Sequence, residues 1–238
     1  MPGLQAIECE GGIQMIMGQE FFKMWDEVCR QYDLVKALNK LQNHSLDIYI
    51  HSVEVGAFAA ILARHLGNEN VFEIFLSGLF HDYGKIHIPK EILEKPGVLN
   101  DAEKHIMNLH TLLGYSELKQ NTKLSQVILD GVLDHHEKVD GSGYCDGKVG
   151  PDISEYGKMI AVVDVYSAMA SKRVYREKQY SHREILKEIE ANAGTSFDKF
   201  YVKAFLEISY IFNEILQKRY LCNFKLRKLP ETDICVQK

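Results

Sequence analysis

An imidazole and a carboxylate stand side by side at the end of an apolar segment, and this pairing constrains the fold of the chain more than any other feature. Residues 71–80 have the sequence VFEIFLSGLF, and His81 and Asp82 follow directly. Such a segment is expected to be buried, and burying both polar groups is costly unless a partner compensates them. Both groups bind divalent cations, and adjacent helical residues point about 100° apart, so the two can serve two neighbouring ions. A surface His-Asp pair is the alternative, so a metal centre requires further ligands elsewhere.

Further candidate ligands lie on four other predicted helices. They are His51, His110, His135, His136 and Asp164. Asp164 interrupts an apolar run and would be an expensive buried charge without a cation. His135 and His136 would repel each other if both were protonated. His110 taken alone is more often a hydrogen-bonded core histidine, so its assignment depends on the rest of the set.

With His81 and Asp82, these residues form a set of five histidines and two aspartates. The interior of a helical bundle can focus such a set on one point, because facing helices project side chains inward. Mixed nitrogen and oxygen ligands at high coordination number favour iron or manganese over the closed tetrahedral sites of structural zinc. The expected cofactor is therefore a pair of divalent metal ions, Fe or Mn, bridged by Asp82.

Asp47 raises the question of a third ion, because it precedes His51 by four residues and lies on the same helix face. Its carboxylate could reach an ion beside the one bound by His51. Alternatively, Asp47 hydrogen-bonds a ring N–H of His51 or caps its helix. We expect two tightly held ions and, at most, a weakly bound third that gains ligands from substrate phosphate.

Helical periodicity runs through most of the 238 residues, and no pattern predicts a strand ladder. The predicted helices, besides the one ending at His81, cover residues 19–42 (as one or two helices), 46–66, 100–113, 122–137, 154–169, a segment opening at 181, and 200–216. We therefore predict an all-α bundle with one principal core and a small N-terminal helical segment. The expected division is a segment at residues 1–43, of which 1–18 form a loose leader, a principal domain at 44–217 and a tail at 218–238.

Composition argues against several other classes of protein. A net charge of −5 gives no support to binding of a nucleic-acid polymer, although a locally positive pocket can still take a small anion. The five cysteines are scattered and lack CxxC spacing, which argues against a disulfide framework and a zinc knuckle. No apolar run approaches the length expected of a membrane span, and the N-terminus lacks a signal-peptide pattern. We therefore expect a cytoplasmic protein that does not engage a membrane.

Two stretches, HDYGK at residues 81–85 and HHEKVDGSGY at residues 135–144, resemble the signature of the HD-GYP subgroup of the HD-domain phosphohydrolases. The similarity covers about residues 51–206 and includes shorter matches at residues 95–97, 173–176 and 194–198. The resemblance implies an all-α HD bundle that cleaves cyclic di-GMP at a site of two or three metals. The residues that carry over as metal ligands are His51, His81, Asp82, His110, His135, His136 and Asp164.

The resemblance also implies roles in substrate binding. Arg173 and Arg176 carry over as phosphate contacts, their alternative being a solvated basic end of the preceding helix. Gly143 and Tyr144 belong to the glycine-rich loop that follows the paired histidines. There Tyr144 stacks on a guanine base or simply packs. The expected partner is a cyclic dinucleotide, and a homodimer or a signalling protein partner stays open.

Three positions depart from the usual pattern of the subgroup. Cys145 stands where the GYP signature has proline, Ser167 stands where a carboxylate often follows the metal-binding aspartate, and His87 stands where glycine is common. Losing the proline frees the backbone of the loop that shapes the substrate pocket. None of the three changes removes a core ligand, so we expect an active enzyme with scope for altered specificity.

The expected reaction is hydrolysis of a 3′–5′ phosphodiester bond in cyclic di-GMP, which gives linear pGpG, GMP or both. A hydroxide held between the two ions, with Asp82 as their bridge, would attack phosphorus in line. Lys85 carries over as the catalytic lysine, which stabilises developing charge or assists the leaving 3′ oxygen. The alternatives are hydrolysis of cyclic GMP-AMP, of a mononucleotide or of an alarmone, and a weakly active receptor that binds the dinucleotide and signals through protein contacts.

Overall fold

A computed structural model describes residues 10–170, residues 180–217 and Leu229, with residues 10–18 described as backbone only. Within these residues all regular secondary structure is helical, apart from two isolated β-bridges. The α-helices are α1 (Glu10–Cys29), α2 (Tyr32–His44), α3 (Leu46–His65), α4 (Val71–Phe80), α5 (Lys90–Leu93), α6 (Asp101–Asn108), α7 (His110–Asn121), α8 (Gln126–Asp134), α9 (Glu155–Ala170), α10 (His182–Ala191) and α11 (Lys199–Gln217). Two short 3-10 helices cover Tyr83–His87 and Gly150–Asp152. The predicted all-α fold is confirmed.

Helix α3 forms the centre of the bundle, and α2, α4, α9 and α11 pack around it. Two glycines let α3 and α4 approach each other closely. A Cβ atom on Gly56 would lie 3.0 Å from the Phe75 carbonyl oxygen, and one on Gly78 would lie 2.9 Å from the Gly56 Cα. This close packing holds the end of α4 beside α3, so that the rings of His51 and His81 lie 5.3 Å apart.

By length and composition alone, α3 is apolar enough to cross a membrane, which the sequence analysis did not anticipate. However, 83% of its most apolar 18-residue window is buried inside the protein. A helix that is apolar on all sides is either a membrane span or the core helix of a larger bundle. Helix α3 is buried as a core helix is, so its apolar composition is only weak evidence for a membrane span.

Several predicted helix ends are confirmed together with their caps. The Ser45 side chain accepts a hydrogen bond from the first turn of α3, and Gly67, with φ of 69°, follows its end. Capping boxes open α6 at Asn100 and α10 at Ser181. These polar caps satisfy backbone groups that a helix end leaves without partners.

Two helices near the centre of the chain differ from their predicted extents. The helix predicted over residues 100–113 divides at Leu109 into α6 and α7, so His110 begins a helix instead of ending one. Helix α8 covers only part of the predicted residues 122–137, because its N-cap, Ser125, is extended and the paired histidines follow its end. His110 and the paired histidines were predicted near helix ends, and they remain at helix ends with these corrected bounds.

The structure describes part of the predicted N-terminal leader but only one residue of the predicted C-terminal tail. Helix α1 begins at Glu10 and so includes part of the predicted loose leader, residues 1–18. The methionines and glutamine of this stretch have high helix propensity, which offsets the cost of its glycines. The predicted tail at residues 218–238 lies outside the described residues, except for Leu229, which is buried against the core.

Because residue 84 is glycine, the turn that follows α4 packs directly against the start of α7. A Cβ atom on Gly84 would lie 1.9 Å from the His110 carbonyl oxygen and 2.5 Å from the Gly114 amide nitrogen. Both neighbours are backbone atoms, so no side-chain movement can relieve the overlap. The 3-10 turn that carries Lys85 is therefore held next to His110.

Candidate metal centre

All seven residues selected as core ligands meet inside the bundle, in two groups. The His51 group consists of His51, His81 and Asp164, and the His110 group consists of Asp82, His110, His135 and His136. Within each group the potential ligand atoms lie within 4.8 Å of one another. Six of the seven are buried, and His136 is half-buried. The structure thus brings together residues that are up to 113 positions apart.

Three of the histidines are oriented by backbone carbonyls at helix ends. The Nδ1 atoms of His81, His110 and His135 donate to carbonyl oxygens three residues earlier, at 2.7, 2.8 and 2.8 Å respectively. A carbonyl oxygen only accepts, so Nδ1 carries a proton in each ring. This arrangement turns each Nε2 toward the interior of the site, where it is the atom available to a metal.

Burial keeps the imidazoles of the His110 group neutral. It lowers the pKa of His110 to about 3 and that of His136 to about 4. It also holds the pKa of His135 well below the ordinary value for histidine, with His136 adding to the effect. Neutral imidazole is the form that binds metal ions, so these rings are in the ligating form near pH 7.

The neutral rings leave lone pairs facing each other across a short distance. Nε2 of His110 lies 3.3 Å from Nε2 of His135 and 3.3 Å from Oδ1 of Asp82. Because Nδ1 holds the proton in both rings, neither Nε2 can donate to the other. The Asp82 Oδ1 and His81 Nε2 atoms are buried and have no hydrogen-bond partner among the described residues. A cation between these atoms relieves the repulsion and satisfies them, so the residues fit a metal site.

Asp82 faces both groups with different oxygen atoms. Its Oδ1 lies beside His110, whereas its Oδ2 lies 3.3 Å from Nε2 of His81 and 3.8 Å from Nε2 of His51. One carboxylate can thus contribute one oxygen to each group. This geometry is the one expected of a ligand shared by two neighbouring ions, as the sequence analysis predicts for Asp82.

The His51 group carries strong negative potential. Burial opposes the charged form of His81, but the carboxylates of Asp82 and Asp164 outweigh it and raise the pKa of His81 to about 10. Burial also opposes ionisation of the two carboxyls, yet His81 and Lys85 hold the pKa of Asp82 well below its usual range. His51 and His81 do the same for Asp164. The two carboxylates therefore favour a positive charge between them, which a divalent cation supplies.

Lys85 lies directly against the centre. Its Nζ atom donates to Oδ2 of Asp82 at 2.6 Å, and its side chain is 16% exposed. The turn that carries Lys85 is tied to α7 through Glu117, which accepts from Tyr83 at 3.2 Å and also contacts His87. His87, one of the departures from the family pattern, thus fixes this turn. Glu117 could not be predicted from the sequence, because a glutamate on a mixed helix face gives no signal of such contacts.

Two buried carboxylates hold the glycine-rich loop after the paired histidines. Glu137 accepts from the backbone N–H groups of residues 146, 147 and 148 at 2.7, 3.1 and 3.0 Å. Asp134 accepts from the Lys148 ammonium at 2.7 Å. The loop places the Tyr144 ring 4.8 Å from the His136 ring at an angle of 32°. Gly143 is required there, because a Cβ atom would lie 2.4 Å from the Lys138 amide nitrogen.

Asp47, the predicted ligand of a third ion, lies outside both groups. Asp47 is exposed in the first turn of α3, and the ring nitrogens of His51 contact Ser167 and Asp164 instead. Neither alternative role for Asp47 is observed, since Ser45 caps the helix. A third ion at Asp47 stays a prediction. Arg173 and Arg176 lie in residues 171–179, outside the described part of the chain.

Comparisons of the sequence with a family model and with curated proteins agree on the family of this chain. The family model described as HD domain matches residues 29–200. A cyclic di-GMP phosphodiesterase from Thermotoga maritima is 32% identical over 204 residues, covering 84% of this chain and 55% of that protein. A protein from Vibrio cholerae named 3′3′-cGAMP-specific phosphodiesterase 1 is 38% identical over 128 residues, covering 53% of this chain and 30% of that protein. The chain spans about half the length, or less, of these curated relatives.

Solved structures share the fold. An HDG"Y"P protein from Bdellovibrio bacteriovorus matches with a TM-score of 0.58 and 16% sequence identity, and the match covers 90% of this chain and 75% of that chain. At this level of identity the likeness concerns the fold alone. The helical bundle built from this sequence is thus an arrangement found in other proteins.

Proposed function

Because the chain belongs to the HD-domain family and resembles the HD-GYP signature except for Cys145 in place of its proline, we propose that it is a metal-dependent phosphodiesterase that hydrolyses cyclic di-GMP to linear pGpG, GMP or both. The observation that carries this proposal is Asp82, whose two oxygens face two groups of candidate metal ligands. The names of the curated relatives support the substrate class. The catalytic unit we propose is residues 44–217.

The proposed cofactor is a pair of divalent ions, Fe or Mn, with one ion in the His51 group and one in the His110 group. Nitrogen and carboxylate oxygen ligands in both groups support these metals. When bound, such a pair supplies an activated water and neutralises charge on phosphate oxygens. Asp47 is the proposed ligand of a third, weaker ion.

The side chains around the ligands have separate proposed roles. Lys85, within 2.6 Å of Asp82, places an ammonium group where a phosphate oxygen or the leaving 3′ oxygen gains charge. Tyr144 offers an aromatic face beside His136 for a guanine base. Arg173 and Arg176, in the part of the chain without a described structure, are the proposed contacts of the second phosphate.

A second candidate substrate is cyclic GMP-AMP. The Vibrio cholerae relative is named for that dinucleotide, and the loop that presents Tyr144 carries Cys145 in place of the usual proline. A receptor that binds without cleavage is less supported, because all seven core ligands are present and brought together.

A product analysis tests the proposal. Protein purified anaerobically and assayed for metal is incubated with cyclic di-GMP and, separately, with cyclic GMP-AMP, and the products are resolved by chromatography. We expect metal-dependent release of pGpG or GMP from cyclic di-GMP at the higher rate. Faster cleavage of cyclic GMP-AMP favours the second candidate. Binding of both dinucleotides without any cleavage contradicts the proposed activity.

A further inference from the structure

Two buried residues behind His51 have no part in the proposed function. Ser167 of α9 is 0% exposed, and Glu54 of α3 is 3% exposed. The Ser167 hydroxyl donates to Oε2 of Glu54 at 2.9 Å, and Nδ1 of His51 lies 3.1 Å from the same hydroxyl oxygen. A carboxylate is therefore linked to the ring of a candidate metal ligand through one hydroxyl group.

The hydrogen-bond directions in this chain follow from the number of protons. A serine hydroxyl has a single hydrogen, and Ser167 gives it to the Glu54 carboxylate, which can only accept. The Ser167 oxygen is then available to accept from Nδ1–H of His51. The Asp164 carboxylate, 2.8 Å from Nε2, also only accepts, so a neutral ring with its proton on Nδ1 presents to Asp164 a lone pair that a cation between the two atoms would satisfy.

The position of His51 in its helix explains why it needs a side-chain partner. His81, His110 and His135 reach carbonyls in the last turns of α4, α6 and α8, where backbone acceptors lack the regular helical partner four residues later. His51 lies in the second turn of the 20-residue α3, where the carbonyls of the preceding turn accept hydrogen bonds within the helix. A backbone acceptor is therefore not available to its Nδ1.

We propose that Glu54 and Ser167 form a relay that fixes the tautomer of His51, which makes Glu54 a positioning residue for the metal ion of the His51 group. The relay rests on the proposed function only in requiring that His51 binds a metal. The relay also explains the serine at position 167, where the subgroup often has a carboxylate. Here the carboxylate that acts on His51 belongs to Glu54 of α3, and it reaches the ring through the Ser167 hydroxyl. Partners of this kind orient a ligating imidazole and raise its basicity.

Metal titration of the full chain tests the relay without using catalysis. Metal-stripped protein is titrated with Mn²⁺, and free Mn²⁺ is followed by electron paramagnetic resonance to obtain the affinity of each ion. We expect Ser167→Ala to weaken one of the two ions about tenfold or more and to leave the other unchanged. Glu54→Gln should weaken the same ion by a smaller factor. Ser167→Thr, which keeps the hydroxyl, should retain both affinities.

A neighbouring serine provides the matched control. Ser52, on α3, is also 0% exposed, but within the described part of the chain its hydroxyl has no hydrogen-bond partner. Ser52→Ala removes the same side-chain atoms as Ser167→Ala, from α3 instead of α9, and should keep both affinities and the melting temperature of the metal-free protein. The selective loss of one ion separates a positioning role from a general loss of packing.

Several outcomes overturn the relay. They are wild-type affinities in Ser167→Ala, equal losses in Ser167→Ala and Ser52→Ala, or a wild-type chain that binds no Mn²⁺. Failure of the proposed function has a different signature. A wild-type chain that binds two ions and cleaves neither dinucleotide contradicts the proposed activity, while a selective effect of Ser167→Ala on one ion still supports the relay.

Discussion

Asp82 is the residue on which both ligand groups depend, because each group faces a different oxygen of its carboxylate. We expect Asp82→Ala to hold fewer than two ions per chain and to lose nearly all turnover. The reason is that the two ions no longer share an anionic ligand. Elemental analysis after dialysis and the rate of cyclic di-GMP hydrolysis measure both effects, with the exposed Asp152→Ala as the control. Wild-type rate and metal content in Asp82→Ala would refute the shared-ligand account.

Lys85 is expected to act on the chemical step. Lys85→Ala should lower turnover by roughly a hundredfold or more, the scale for losing one charge-stabilising group, while bound metal and substrate affinity persist. Turnover, substrate affinity and metal content are measured side by side, with the exposed Lys104→Ala as the matched control. Parallel losses of metal and melting temperature would show instead that the ammonium group mainly supports the Asp82 carboxylate.

Whether a site residue could be predicted depends on the sequence that surrounds it. Asp164 and the His81-Asp82 pair could be selected because each interrupts or closes an apolar segment. Glu54 offered a similar signal, since it stands between two valines, but a glutamate on a helix is usually solvated. Its role depends on Ser167, which is 113 positions away, and no local pattern indicates that contact.

At the scale of elements, the division between α6 and α7 determines where His110 lies. Ile106, Leu109 and Leu113 keep helical spacing across the division, so periodicity predicted one continuous helix. The division reflects a tertiary contact instead, because the backbone at Gly84 packs against the His110 carbonyl. Long core helices such as α3 and α9 were predicted well, since burial on all sides leaves an apolar run in the sequence.

This contact gives a prediction for Gly84. Gly84→Ala adds a methyl group 1.9 Å from a backbone oxygen, so we expect α7 and the Lys85 turn to separate, with loss of activity and about 1–3 kcal/mol of stability. Gly67→Ala, whose Cβ would meet nothing within 4 Å, adds only the strain of a positive φ and should keep full activity. Thermal unfolding and hydrolysis rates compare the two variants. Equal activity in Gly84→Ala and Gly67→Ala would contradict the close packing of this turn against α7.

At the scale of the whole molecule, the candidate metal centre joins residues of α3, α7 and α9 with residues that follow α4 and α8, so its occupancy should affect the stability of the bundle. Ions that bind only the folded chain stabilise it by about 2.7 kcal/mol at a hundred times their dissociation constant. This figure applies to each ion, so for a chain of this size loss of one ion should lower the melting temperature by roughly 5–10 °C and loss of both by about twice as much. Calorimetry of metal-loaded and metal-stripped protein measures the shift, and unchanged melting would place the ions outside the core.

The central claim is that two ions, shared through Asp82, are needed for hydrolysis of a cyclic dinucleotide. The most direct measurement follows the rate of cyclic di-GMP cleavage while metal-stripped protein is titrated with Mn²⁺ under anaerobic conditions, with bound metal determined at each point. The account predicts little activity up to one ion per chain, a rise with the second, and a plateau at two tightly bound ions. Full activity in metal-free or singly loaded protein, or three tightly bound ions in the absence of substrate, would contradict it.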